Sequence, residues 1–252
     1  MVAKYCVIAG IAWGTSAVWG QAASAPPAFD VVSIKPSAAT NTDKTFHLGP
    51  DGSFQAGNYS LKDLIRLGWD VRNFQILGGP GWLDTERYNV QAKPVAPFAA
   101  HSTEGFKQLG LMVQAMLAER FQIKVHRQTK EMAVYYLALG KGESKLKRTG
   151  DAMDPTTRMG DGRGRMWAVK FSMTLLANYL GGELGVAVLD RTGLSGVYDL
   201  ELKWNPDDGR RPTDSGPSIF AALQEQLGLK LDSGRGPVEV LVVDSAERPS
   251  AN

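Results

Sequence analysis

Of the 252 residues only one is cysteine, Cys6, and it lies inside the first apolar run. It comes too early, and in the wrong surroundings, for a lipoprotein cleavage site. From residue 26 onward there is no thiol, so disulfides and cysteine nucleophiles are excluded there. Histidine is nearly as scarce. His47, His101 and His126 are the three, and no two stand at the spacing of a metal pair. No Gly-x-Ser-x-Gly elbow presents a serine nucleophile. No Gly-Lys-Ser/Thr run opens a helix, as a phosphate loop requires. Charge of one sign is missing too: 28 Lys and Arg face 26 Asp and Glu, a formal +2. That near-balance gives no electrostatic argument for nucleic acid. The basic cluster Lys141, Lys145, Lys147 and Arg148, with Glu143 among it, reads as a solvated loop. No apolar stretch after residue 25 is long enough to span a bilayer.

What the chain does have begins at its start. Met1 to Lys4 is short and basic, Tyr5 to about Gly20 is apolar, and Ala23-Ser-Ala25 is a small-x-small cleavage signature. That order predicts a signal peptide over 1–25, cleaved after Ala25, and a secreted or periplasmic chain. The apolar run is too short and too rich in Gly, Ser and Thr for a membrane span. Loss of Lys4 leaves a formal charge of about +1.

The chain then repeats itself. Gly52 to Ala56 followed by Tyr59-Ser60-Leu61 matches Gly164 to Ala168 followed by Phe171-Ser172-Met173, at an offset of 112. Leu117 to Val125 matches Leu223 to Leu231 at an offset of 106. Tyr88, Val90 and Ala92 match Tyr198, Leu200 and Leu202 at 110. Ser60 and Ser172 are placed as helix caps, and Asp63 stands where a capping-box acid belongs. Leu61, Leu64, Ile65 and Gly68 share one helical face, as do Leu109, Met112, Val113, Met116 and Leu117 in a helix read over 106–120. Gly49-Pro-Asp-Gly52 has turn chemistry and predicts a hairpin. Strands are expected at 121–125 and 131–139 as one hairpin, and at 229–231 and 238–243 as another. The resulting expectation is an α+β fold of four α-β-β units in two similar halves, with helices packed on antiparallel or mixed sheets. The halves would span 26–148 and 164–252. A linker rich in Gly, Asp and Arg would occupy 149–163, and a second loose loop would run from Asn205 to Gly216.

Several long motifs stand in a recognisable order: Phe29-Asp-Val-Val-Ser-Ile-Lys-Pro36, Gly78-Gly-Pro-Gly-Trp82, Asp190-Arg-Thr-Gly-Leu-Ser-Gly-Val-Tyr-Asp199, Glu225 to Leu231 and Gly236 to Asp244. On these the chain resembles a large family of uncharacterised secreted proteins, abundant in acidobacterial soil bacteria and catalogued as a domain of unknown function. Some of its members resemble fusions to membrane-embedded metallopeptidase sensors. The resemblance implies location and fold, and no activity. At the level of single units the pattern is also similar to the short periplasmic domains of secretins and TonB-dependent receptors, which bind envelope proteins.

Candidate site residues are few. Trp82 follows Gly78-Gly-Pro-Gly on a stiff loop, where an aromatic suits a sugar or peptide face, or plugs its own sheet. Arg163 and Arg165 flank Gly164 in a Gly-rich run suited to anion contact. Asp190 begins a turn at Asp190-Arg-Thr-Gly193, and with Asp199 it is one example of an acid pair that a hydrolase could use. No metal site or cofactor is expected. The function expected is non-catalytic binding or scaffolding in the envelope or outside the cell, with a protein, peptide or glycan as partner. The alternatives are a hydrolase with an unrecognised carboxylate site, and an accessory or sensor domain for an envelope peptidase.

Overall fold

The computed structural model describes residues 27–38, 43–141, 144–154, 156–206 and 216–249. The expected signal peptide, and residues 207–215 of the second loop, lie outside the described residues. Twelve strands form three four-stranded sheets, with four α-helices in the described residues, so the class is α+β.

The first sheet contains β1 (Phe29–Pro36), β2 (Thr45–Leu48), β3 (Phe54–Ser60) and β5 (Arg87–Pro94), in the order β1-β5-β3-β2. All its pairs are antiparallel. Every second residue of β3 and β5 is buried, as a half-covered sheet demands. The Pro-Asp-Gly turn joins β2 to β3, with Gly49 N–H donating to Ser53 O at 2.7 Å. Helices α1 (Leu61–Trp69) and α2 (Thr103–Arg120) cover the buried side. The third sheet contains β7 (Lys147–Gly150), β8 (Arg158–Gly162), β9 (Arg165–Phe171) and β11 (Val197–Lys203). Its order, β7-β11-β9-β8, follows the same pattern as the first. Helix α3 (Met173–Leu184) and the short α4 (Ile219–Ala222), continued by a π-helical turn over Leu223–Leu227, pack on it.

One local device recurs. Asn58 in β3 and Lys170 in β9 both take left-handed backbone, at φ +61° and +54°. Each sits at a break in strand register. Its freed N–H is taken by a side chain of the neighbouring strand: Asn89 Oδ1 at 3.0 Å and Asp199 Oδ1 at 3.0 Å. Two residues later the chain turns into a helix capped by serine. Asp63 N–H donates to Ser60 Oγ at 3.1 Å, and Leu175 N–H donates to Ser172 Oγ at 3.3 Å.

The middle sheet corrects the four-unit grouping. β6 (Lys124–Leu139) and β12 (Leu229–Ser245) are single long strands, paired antiparallel from Lys124↔Ser245 to Leu139↔Leu229. The two expected hairpins do not exist. Gly234, Gly236 and Pro237 look like turn chemistry, yet they lie extended because Tyr136 crosses β12 above them. A Cβ on Gly234 would meet the Tyr136 ring at 2.7 Å, and one on Gly236 would meet its hydroxyl at 2.6 Å. Tyr136 Oη donates to Arg235 O at 2.5 Å, and the Arg191 guanidinium lies 3.5 Å from the ring centroid. Two short strands complete the sheet: β4 (Ile76–Gly78), parallel to the end of β12, and β10 (Ala187–Asp190), parallel to the end of β6. β4, which precedes β6 in the chain, thus pairs with β12, and β10, which follows β6, pairs with β6.

The cores interlock in the same way. Leu241 and Val243 of β12 belong to the core under the first sheet, and Leu137 of β6 belongs to the core under the third. A small cluster of Val134, Ala187, Val238 and Val240 sits between. The stretch expected as a linker, 149–163, carries the end of β7 and all of β8 within the third sheet. No helix among the described residues is long and apolar enough to cross a membrane.

Candidate functional site

Helices α1 and α2 meet at two glycines. A Cβ on Gly110 would stand 3.0 Å from Gly68 O, and one on Gly68 would stand 3.3 Å from Val113. Gln114 Nε2 donates to Gly68 O at 2.7 Å and holds the crossing. Beside it opens a groove of about 900 Å³. Its apolar surface comes from Phe46, Tyr59, Leu67, Trp69, Phe106 and Leu111. Three of these are well exposed: Phe46 at 41%, Phe106 at 51% and Leu111 at 53%. Large side chains left open this way around a concavity are the ordinary sign of a contact surface. Arg66, Arg72 and Lys107 supply positive charge at its edge.

The wall is held by a buried carboxylate. Asp63 is 5% exposed. It receives Lys44 Nζ at 2.7 Å and Arg87 at 3.2 Å, with Arg66 at 3.6 Å. It also accepts from Ser60 N–H at 3.0 Å and Ser60 Oγ at 2.9 Å, closing the capping box. Burial is the largest single effect on its titration and acts upward. The hydrogen bonds from Lys44 and Ser60 together outweigh it and hold the carboxyl below its ordinary value. An acid so fully satisfied is a brace for β2, β3 and α1 and stays ionised at neutral pH. Burial likewise raises Tyr59, which faces the same groove.

The residues singled out by sequence lie apart from this groove. Trp82 is half-buried against the first core, with the Arg248 guanidinium 5.2 Å from its ring centroid. Arg248 in turn grips both oxygens of Glu86 at 2.6 to 3.0 Å. Arg163 and Arg165 sit at the tight turn joining β8 to β9, and Arg165 pairs with Glu201 at 2.9 Å. Asp190 ends β10 and accepts from Thr192 N–H at 2.9 Å and Thr192 Oγ1 at 2.8 Å, which shapes the following turn. Asp199 lies in another sheet, β11, and accepts from Lys170 N–H and from Thr149 Oγ1 at 3.1 Å. Both acids are occupied in holding backbone. His126 Nδ1 lies 2.9 Å from an Asp244 oxygen on an exposed face. Among the described residues, no three His, Cys, Asp or Glu gather as a metal site would require.

A second, more polar hollow of about 320 Å³ is lined by Arg72, Gln75, Arg127, Asn178 and Glu239 among others. It shares Asp70, Val71 and Arg72 with the groove. Near it, burial raises the Glu183 carboxyl, with Asp161 adding to the rise and Arg72 opposing it.

Fold and site together define an α+β protein of three sheets with an open, aromatic groove lined also by Arg66, Arg72, Lys107, Asp63 and Asp70. The chain belongs to the family described as protein of unknown function (DUF3738), whose model matches residues 62–246. No curated protein and no solved structure matches it.

Proposed function

We propose that this chain is a secreted binding module of the cell envelope or exterior, and that the groove between α1 and α2 receives an apolar segment of its partner. The observation that carries this reading is the exposure of Phe46, Phe106 and Leu111 around one concavity. Burying such surfaces yields roughly 25 cal/mol per Å². Of the two acids lining the groove, Asp63 is braced by Lys44, Arg87 and Ser60 and has no proton to give at neutral pH. The test is capture from an envelope extract by the chain from Pro26 onward, beside its Leu111→Asp and Arg165→Ala variants. A partner retained by the parent and by Arg165→Ala, and lost with Leu111→Asp, supports the groove. Retention that survives Leu111→Asp and fails with Arg165→Ala moves the site to the β8–β9 turn.

A second reading, a hydrolase with a carboxylate site, rests on Glu183, raised by burial and by Asp161. It takes the acid pair away from Asp190 and Asp199. Turnover of a panel of esters and peptides that disappears in a folded Glu183→Gln protein would establish it. Unchanged turnover in that variant would remove it.

A further inference from the structure

Resting on the groove reading, we infer that the partner segment is the carboxyl end of an apolar peptide: the groove takes its side chains and Arg72 takes its terminal carboxylate. The groove and the polar hollow are adjoining spaces that share the backbone of Asp70-Val71-Arg72. One end of the path is therefore aromatic and aliphatic, and the other is polar. Among the described residues, the charges along it are matched except those of Asp70 and Arg72. Arg66 leans on Asp63, Lys107 on Glu104, and Arg127 on Glu239. Arg72 makes no ion pair among the described residues. The carboxylate it does act on, Glu183, is one whose ionised form burial disfavours. The Arg72 guanidinium packs on Gly182, where a Cβ would stand 3.4 Å from its Cζ, so the start of α3's last turn holds one face of the group. Asn178 and Gln75 line the same hollow.

A planar guanidinium at the polar end of an apolar groove is the donor geometry that suits a carboxylate, with two parallel N–H donors for its two oxygens. Capture of a chain-terminal carboxylate is a recurring recognition mode. The groove is partly open, with Phe106 and Leu111 about half exposed, which suits a peptide better than an acyl chain that must be wrapped. Asp70 is the one acid on the shared segment, and it works against the ligand's charge.

The test uses N-terminally labelled pentapeptides of Phe, Leu and Ala, as the free acid and as the amide, with laurate as a competitor, followed by fluorescence anisotropy. The free acid should bind about tenfold more tightly than the amide, a difference of about 1.4 kcal/mol. Arg72→Gln should erase that preference, and Asp70→Asn should enlarge it. Leu111→Ala should weaken acid and amide alike. Equal binding of acid and amide to the parent overturns the terminal-carboxylate proposal and leaves the groove standing. Binding of neither peptide overturns both. Binding of laurate with no peptide bound overturns the peptide assignment and makes an acyl chain the occupant.

Discussion

The helix after β3 and the helix after β9 start in the same way and then part company. Both follow a left-handed residue whose N–H is held by the next strand, and both are capped by serine. At the third helical position α1 has Asp63, sharing its carboxylate with Lys44, Arg66 and Arg87, and α3 has Leu175. The helix that crosses α1 runs 18 residues, whereas α4 has four and a five-residue π-helical turn. The extra turns of α2 carry Phe106 and Leu111, the open wall of the groove. The difference teaches that bulge, cap and apolar face suffice to build this architecture. The buried ion network and the longer helix are additions, and they sit where the groove is.

The strongest way to break the comparison is to separate the halves. A chain of residues 26–148 keeps the first sheet but loses Leu241, Val243 and the whole partner of β6. It leaves a 16-residue strand edge open. It should show no cooperative urea transition by circular dichroism. A cooperative transition of normal steepness would mean that the interlocked cores are dispensable. Next in size, Leu117→Ala and Leu223→Ala remove fully buried side chains at positions 106 apart. Each should cost about 3 kcal/mol, and the two costs should agree to within about 1 kcal/mol. A large inequality would show that the two cores are packed by different rules.

The Asp63 network sharpens the contrast rather than the likeness. Asp63→Asn should cost about 2 kcal/mol at neutral pH, read by urea denaturation, because Lys44 and Arg87 lose their counter-charge. The folded carboxyl titrates below its ordinary value. Its contribution is therefore complete above about pH 4 and is lost as pH falls through the lower folded value. The variant should lack that acid limb. An identical pH profile in parent and variant would remove the network from the account. Smallest of all, Arg165→Ala breaks an exposed, solvent-screened pair with Glu201 and should leave the urea midpoint unchanged; a clear drop would show that the pair matters.

Much of this was legible in the sequence because it depends on neighbours along the chain. Ser60 and Asp63 are three residues apart, the Pro-Asp-Gly turn is local, and the buried face of α2 follows helical spacing. The long strands were not legible, since Gly234 and Gly236 are explained only by Tyr136, about a hundred residues away. The groove was hidden for the same reason. Phe46 and Tyr59 come from the two strands of one hairpin and Phe106 from a helix far along the chain, and only the fold brings them together. One signal was available: Phe106 and Leu111 fall on the polar side of α2, where a helix with nothing to bind has no use for large apolar groups. Trp82, by contrast, drew notice for its stiff loop, and it packs on its own core under Arg248.

The most direct test of the groove is a map of backbone amide shifts in the chain from Pro26 onward as a labelled apolar pentapeptide is added. Shifts concentrated at residues 59–72 and 103–114 are the predicted result. Shifts concentrated at the β8–β9 turn around Arg163 and Arg165, or at the Trp82 loop, would contradict it.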